Sequence, residues 1–374
     1  IKNILKGLFT ADGTITGNAQ KGFYFGLDSS SLELLKQVQL LLLNFGIKSK
    51  IYKNRRSKLE QYLPDSQRKL KLYQVKQFHS LRITGSSRVI FEKEIGFYEL
   101  HQKQEKLENI NQKYEAYKDH LYDEIKEIVF DGIEEVYDLT EPETSHFVAN
   151  GILVHNCAEY IFLNWTSCFA PDTRISTKDG IYTIEELYLR QQRGETIYIK
   201  TELTDDKTLQ KQLAFRPAFV FKTGIKDIYK IKLSTGQEIK LTKDHYVLTS
   251  NGWKQVKDLI IGKDDIVTQK ESSPIDYSHA SEEDIKFYQM LGWLVGDGYF
   301  TEENLGLVFG PQDKEVAETL LPIFNEFIVS NSETKRNVKI STQKKTGVLQ
   351  IGSKSRGAIE KLKSLGFQPA YATT

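Results

Sequence analysis

The sequence predicts an α+β protein. An all-β domain built from two separated segments is joined to two copies of an αββαββα-type unit at opposite ends of the chain. Three observations carry this. A short helical pattern ending in Asp-Gly occurs twice, at residues 5–13 and 290–298. Between the copies the texture changes to short alternating strands separated by turn dipeptides. The chain's 2 cysteines, Cys157 and Cys168, sit where that texture breaks off and resumes.

The repeat can be followed beyond its first helix. An amphipathic helix follows each copy, at 32–45 and 316–327. A strand then leads to a second helix, at 81–85 and 89–95 in one copy and at 349–353 and 358–365 in the other. Both second helices stop at Gly-Phe, Gly96-Phe97 and Gly366-Phe367, and glycine suits a helix C-terminus because it tolerates positive φ. This is an internal repeat. The β texture fills 116–156 and 168–270, with strands at 136–139, 152–154, 197–199 and 228–233. Turn dipeptides Asn150-Gly151, Asp179-Gly180, Thr235-Gly236 and Asn251-Gly252 punctuate it. The expected division is therefore 1–115 (repeat), 116–156 (β), 157–167 (neither texture), 168–270 (β) and 271–374 (repeat).

At 374 residues the chain is too long for one core, so two or more domains are expected. A 39% hydrophobic and 27% charged composition describes an ordinary globular chain. Net charge is +1, so a nucleic-acid surface must come from local segregation of charge. No secretory signal and no bilayer-length apolar run is found, and the Leu run at 40–43 reads as a buried helix. A cytoplasmic location and no membrane partner are expected. Two cysteines exclude a disulfide framework and a four-cysteine zinc site, and point to thiols used for reactivity. Both ends read as cut, the first mid-helix at Ile1-Lys2-Asn3 and the last at Ala372-Thr373-Thr374.

Three motifs share one chemistry. Cys168-Phe169-Ala170-Pro171-Asp172-Thr173-Arg174-Ile175 leads to Asp179-Gly180. Leu241-Thr242-Lys243-Asp244-His245 holds a Thr-x-x-His pattern. Val136-Tyr137-Asp138-Leu139-Thr140 precedes a run from His146 to His155-Asn156-Cys157. Singly, each residue has an ordinary structural reading: a core histidine, a strand-face threonine, an Asn at a turn. Together they resemble the splicing domain of the Hedgehog/intein family, whose fold is an all-β, horseshoe-like domain. The resemblance implies that the Cys168 thiol attacks the carbonyl before it, turning an amide into a thioester. Thr242 and His245 assist that uphill step, and Cys157 takes the acyl group. Asn156 then cyclises and cuts before Cys157, with His146 and His155 moving protons. Asp138 tunes Cys157 or the transfer. No cofactor is implied for splicing.

The two Asp-Gly-ending helices resemble the LAGLIDADG motifs of homing endonucleases carried inside inteins, with the second repeat (1–115) coming first. Gly7, Ala11, Gly292 and Gly296 would let the helices pack closely and bring Asp12 and Asp297 together. Paired carboxylates hold divalent cations that activate water, so both are catalytic and metal-ligand candidates, with Mg²⁺ as the cofactor. The family's site lysine falls between the repeats, beyond this chain's end, and no residue is assigned to it. Double-stranded DNA is the implied partner. Arg55, Arg56, Lys58, Lys69, Lys71, Lys335, Arg336, Lys344 and Lys345 are its candidate phosphate contacts, with a solvated strand face as the ordinary reading of each.

The stretch 157–167 reads as host sequence. Cys157-Ala158-Glu159-Tyr160 to Thr166-Ser167 resembles a segment of adenosylcobalamin-dependent ribonucleotide reductases, departing from it at Ala158. Adenosylcobalamin would belong to that host alone. The inverted order has two readings: halves of two neighbouring inteins, or one permuted intein. Either way, a splicing domain assembled within this chain would join Ser167 to Cys157 and release an eleven-residue ring. The competing functions are a LAGLIDADG protein that binds DNA without cutting, and a fragment whose activity is that of its reductase host.

Overall fold

The computed structural model describes residues 1–374 except 19, 21, 65–68, 99–100, 120–121, 143, 157–166, 205–210, 270–280, 333–335 and 370–374. Its helices, in chain order, are α1 (Lys2–Asp12), α2 (Leu32–Leu43), α3 (Gly85–Glu94), α4 (Gln102–Lys113), α5 (Ile184–Gln192), α6 (Glu282–Asp297), α7 (Lys314–Ser330) and α8 (Arg356–Ser364). The chain divides into two compact units. One comprises 1–38, 52–117 and 276–374, and the other comprises 39–51 and 118–275.

The first unit holds both repeats except for residues 39–51, with the end of α2, which fall in the second unit and so depart from the expected 1–115 division. Strands Gly13–Asn18, Gly22–Ser29 and His79–Ile83 pair antiparallel, with Gly13 opposite Leu27 and Phe25 opposite Ile83. Alternation along them sends Phe25, Leu27, Leu81 and Ile83 to a buried face. There Phe9 of α1 and Phe91 of α3 meet edge to face at 5.0 Å, and Phe91 stands 5.6 Å from Phe97. The other copy repeats this plan. Strands Gly298–Phe300, Leu305–Phe309, Leu349–Ser353 and Ser341–Thr342 lie in that spatial order. Leu305, Leu307, Phe309 and Ile351 are buried against Trp293, Phe324 and Ile359. Gly96 and Gly366, just past α3 and α8, take φ of 64° and 92°, the left-handed conformation their place at a helix end requires.

Helices α1 and α6 cross backbone to backbone. A Cβ at Gly7 would lie 2.1 Å from the Gln289 carbonyl oxygen, and one at Gly292 would lie 2.1 Å from that of Ile4. At the lower end a Cβ on Gly296 would stand 2.8 Å from Ala11 Cβ. The spacing of small residues therefore sets the approach, and both helices end at the same level in Asp12-Gly13 and Asp297-Gly298.

The second unit is an 11-stranded sheet that returns on itself. Its path runs through Gly180–Thr183, Arg174–Thr177, Ile197–Thr204, Lys211–Leu233, Tyr122–Thr140, Asp265–Val267, Tyr246–Thr249, Ile152–His155 and His146–Ala149. Ala149 then pairs back with Ile175. Strands from before and after residues 157–166 are thus interleaved around one apolar core containing Tyr137, Phe147, Val154, Phe169, Ile231 and Val247.

Two expectations are corrected here. The strands sensed at 136–139 and 228–233 are the ends of much longer ones, Tyr122–Thr140 of 19 residues and Lys211–Leu233 of 23. Register shifts at Lys222/Gly224, Ile228/Tyr229 and Lys232/Leu233 break the alternation that would have revealed their length. The β segment also contains a helix, α5. Its start is set by a capping box, in which Thr183 Oγ1 accepts the Glu186 N–H at 3.2 Å and Glu186 Oε2 accepts the Thr183 N–H at 2.7 Å.

Replacing Gly7 by alanine should destabilise the first unit by about 2 kcal/mol or more, because the clash is with backbone and neither helix can yield locally. Urea unfolding followed by circular dichroism checks this. An unchanged midpoint would mean that the helices do not cross at this residue.

Candidate functional site

In the second unit, Cys168 and Thr242 are tied by a reciprocal pair of hydrogen bonds. The Cys168 N–H donates to Thr242 Oγ1 at 2.9 Å, and the Thr242 N–H donates to the Cys168 carbonyl at 2.9 Å. Phe169 is pinned next door, exchanging bonds with Tyr137 at 3.0 and 2.8 Å. Ser167 Oγ donates to the Asp244 carbonyl at 3.1 Å, which anchors the acyl side of the Ser167-Cys168 bond against the same loop. The Ser167-Cys168 amide is therefore held on both sides by residues 242–244.

His245 is fully buried, its ring 4.1 Å from that of Phe169. Among the described residues neither ring nitrogen has a hydrogen-bond partner of ordinary geometry. Burial, with the nearby His155 charge adding to it, pushes its pKa down to about 3, while the His155 backbone opposes weakly. His245 is thus a neutral imidazole at physiological pH, with one N–H to give and one lone pair to use. A buried polar ring without a partner is unfavourable for folding and calls for a reason, of which a chemical role is one.

The Cys168 Sγ lies 3.0 Å from Thr223 Oγ1 and 3.2 Å from Lys226 Nζ. Burial pushes the thiol's pKa up, and these two groups pull against it. Asp138, itself buried, adds a charge that opposes ionisation of Cys168, and its Oδ1 accepts the Leu139 N–H at 2.7 Å. Asp138 therefore acts electrostatically at the first thiol. Cys157, the second thiol, lies outside the described residues. Thr223 and Lys226 belong to no motif in the sequence; only the bend of their strand brings them to the sulfur.

His146, His155 and Asn156 meet at the other junction. His146 and His155 face each other across paired strands, and both rings stand against Trp253, at 6.1 and 5.2 Å. His155 Nδ1 is 2.7 Å from the Asn156 carbonyl oxygen, which can only accept, so Nδ1 carries the proton. By the same reasoning His146 Nδ1–H donates to the Thr144 carbonyl at 2.7 Å. Asn156 is buried, its Nδ2 donating to the Glu141 carbonyl at 2.7 Å and its N–H to that of Ser145 at 2.8 Å.

In the first unit, Asp12 and Asp297 come together at the α1/α6 ends. Crowding by protein atoms, then the Asp297 charge, pushes Asp12 up to about 6, with Lys103 opposing. Asp297 is raised as well, again chiefly by desolvation. Lys103 was not foreseeable from repeat or motif. Its Nζ donates to the Thr10 and Ala11 carbonyls at 2.6 and 2.9 Å, capping the end of α1 beside the carboxylates. His101 fixes it there: Nδ1 accepts the Lys103 N–H at 3.1 Å, leaving Nε2–H to donate to Asp313 at 3.1 Å. Among the described residues no cluster of three or more His, Cys, Asp or Glu could hold a metal. Two hard carboxylates still fit Mg²⁺, which takes one or two from protein and completes its shell with water and phosphate.

The basic candidates divide. Arg55, Lys58, Lys69, Lys71, Arg336, Lys344 and Lys345 are exposed. Arg56 is partly covered, its Nη1 donating to the Lys76 carbonyl at 2.7 Å. Lys335 lies outside the described residues. Arg82 is an addition: its guanidinium lies 4.3 Å from the Tyr24 ring and 4.6 Å from that of Tyr52, on the sheet face opposite buried Leu81 and Ile83. An arginine alternating with core leucine and isoleucine was the available signal. No helix among the described residues is long and apolar enough to cross a membrane.

Because Asp12 ionises near pH 6, divalent-metal affinity should rise through that pH. Mn²⁺ should bind about tenfold more weakly at pH 5 than at pH 7, as read by calorimetry or electron paramagnetic resonance. An affinity independent of pH would separate Asp12 from the metal.

The LAGLIDADG-like domain family matches residues 1–96. Among curated proteins, the chain is 30% identical over 225 residues to the NrdEB alpha subunit of ribonucleoside-diphosphate reductase from Bacillus subtilis, covering 57% of this chain and 21% of that protein. It is 30% identical over 137 residues to the replicative DNA helicase DnaB of Rhodothermus marinus, covering 36% of this chain and 13% of the helicase. It is 34% identical over 165 residues to a DNA polymerase of Thermococcus hydrothermalis, covering 42% of this chain and 9% of the polymerase. The chain thus spans about a fifth of the reductase's length and less of the others.

Proposed function

We infer that this chain is a self-splicing protein element joined to a LAGLIDADG DNA endonuclease and carried by a ribonucleotide reductase host. The observation that carries the splicing reading is the Cys168–Thr242 clamp, with the Cys168 N–H on Thr242 Oγ1 at 2.9 Å beside the unsatisfied His245. The relatives support an inserted element. A reductase, a helicase and a polymerase share no activity in their names, yet each resembles this chain over a minor part of its length.

The chemistry follows from the contacts. Sulfur of Cys168 attacks the Ser167 carbonyl carbon, the C–N bond breaks, and the freed amine takes a proton. Thr242 orients the departing nitrogen, and neutral His245 supplies an N–H close by. The acyl group passes to Cys157. Asn156 Nδ2 then attacks its own carbonyl carbon, which His155 Nδ1–H polarises at 2.7 Å, and the bond to Cys157 breaks. With Nδ1–H given to the Thr144 carbonyl, His146 Nε2 keeps its lone pair and would take a proton in this step.

The paired aspartates fit phosphodiester hydrolysis. Asp12 and Asp297 would hold Mg²⁺, which supplies activated water and stabilises the leaving oxygen. Lys103 sets the charge balance beside them, and the face bearing Tyr24, Tyr52 and Arg82 suits a DNA backbone. Segments from both sides of residues 157–166 share one sheet, which supports a splicing domain assembled within this chain, with ligation of Ser167 to Cys157 under either reading of the inverted order.

Mass spectrometry of freshly made chain should show fragments 1–156 and 168–374 and a cyclic peptide of residues 157–167. Thr242→Ala should slow appearance of the ring about 10²-fold, and Asn156→Ala should abolish it. Intact chain under reducing conditions would sink the splicing reading. With Mg²⁺, reductase-gene DNA lacking the insert should be nicked, and Asp12→Asn should stop nicking while retaining salt-dependent binding. Binding without nicking by the unaltered chain would assign it to DNA binding alone.

A further inference from the structure

The Cys168 thiol sits in a small apolar cluster with Val136, Ala170 and Ile228. Such a setting disfavours the thiolate, which is the form that attacks a carbonyl. Desolvation is indeed the largest influence on this thiol and pushes its pKa up. Something must offset that for the first step to proceed near neutral pH.

The long strand Lys211–Leu233 supplies it through a break in its ladder. Lys222 pairs with Tyr137 and Gly224 with Val136, so Thr223 is an extra residue with no partner across the sheet. A bulge of this kind re-aims a side chain. Here the Thr223 hydroxyl donates to the Val136 carbonyl at 3.2 Å and stands 3.0 Å from Cys168 Sγ, to which its one proton can turn when the sulfur ionises. Past the bulge, alternation puts Gly224, Lys226 and Ile228 on one face. Ile228 is a wall of the thiol's cluster, so Lys226 is directed to the same place, and its Nζ reaches Sγ at 3.2 Å. Two charged groups bear on the thiol, Lys226 from this strand and Asp138 from Tyr122–Thr140; His245 of the 242–245 loop packs on the Phe169 ring next to it.

We propose that Lys226 is a catalytic residue of the acyl shift, its ammonium, 3.2 Å from the Cys168 sulfur, stabilising the negative charge the sulfur acquires as it loses its proton, with the Thr223 hydroxyl as second donor to that charge. This rests on the splicing reading and deepens it by naming what prepares the nucleophile. The steps balance without a co-reactant. The thiol proton leaves to water, the sulfur–carbon bond to Ser167 forms, the carbon–nitrogen bond to Cys168 breaks, and the amine takes a proton from water. Asp138 opposes ionisation, so the lysine sets a charge balance that Asp138 alone would tip toward the inert thiol.

The test uses the full chain carrying Asn156→Ala and Cys157→Ala, in which dithiothreitol-driven release of fragment 168–374 reports the first step alone. Its rate is measured from pH 6 to 11, a window that extends above the ordinary thiol range because burial pushes this thiol up. Lys226→Met should move the inflection of the profile up by about one pH unit or more and lower the rate at pH 7 about tenfold. Lys226→Arg should keep the parent's inflection. Thr223→Val should shift it the same way by less, and it gives an independent reading if Lys226→Met fails to fold. An inflection unmoved in Lys226→Met, or in Thr223→Val where the former is unfolded, would overturn the proposal even if the rate falls, since a packing defect lowers rate without moving a titration. No dithiothreitol-dependent release from the parent would instead overturn the splicing reading on which it rests.

Discussion

The ladder between Tyr122–Thr140 and Lys211–Leu233 is the interaction on which the second unit depends. It runs from Ile125 opposite Leu233 to Thr140 opposite Phe219, and its strands come from the two sides of residues 157–166. Each backbone donor and acceptor buried in that pairing would be unsatisfied if the halves parted. The ladder also carries Asp138 and Val136 on one strand and Thr223, Lys226 and Ile228 on the other, so forming it assembles the surroundings of Cys168 in the same act. Its irregularities matter as much as its regular pairs. Without the extra residue at Thr223, that side chain would alternate away from the sulfur.

The first unit uses a different device for the same purpose. Two helices from distant parts of the chain meet through glycines that leave no room for a side chain, and the shared length of their patterns brings two aspartates to one level. Burial and mutual repulsion then make the pair reluctant to ionise, a state that a divalent cation relieves. Lys103, held to the helix end by two carbonyls and kept in place by His101 and Asp313, moderates that repulsion.

The contrasting states of the titratable groups follow from their packing. His245 is kept neutral because its ring is sealed in apolar contacts, whereas His146 and His155 lie partly open against Trp253, with tautomers dictated by backbone carbonyls. Cys168 is held between opposing influences of Lys226 and Asp138. Acid–base roles are thereby divided among residues that look alike in sequence.

Much of this was legible in the amino-acid sequence. The two helices ending in Asp-Gly, the Gly-Phe stops, the Cys168 and Thr-x-x-His patterns and the His-Asn-Cys junction are local signals, because turn chemistry, helix caps and nucleophile identity are properties of a few adjacent residues. Tertiary structure alone decided the rest. The lengths of the two long strands were hidden by bulges that break alternation, and α5 was masked by the strands around it, although its Thr183–Glu186 box was present. Lys103, Arg82, Thr223 and Lys226 stand in polar or alternating stretches with no motif. They take their places through a helix cap, a sheet face and a bulge, and contacts between residues far apart in the chain are fixed by packing, which no local pattern encodes.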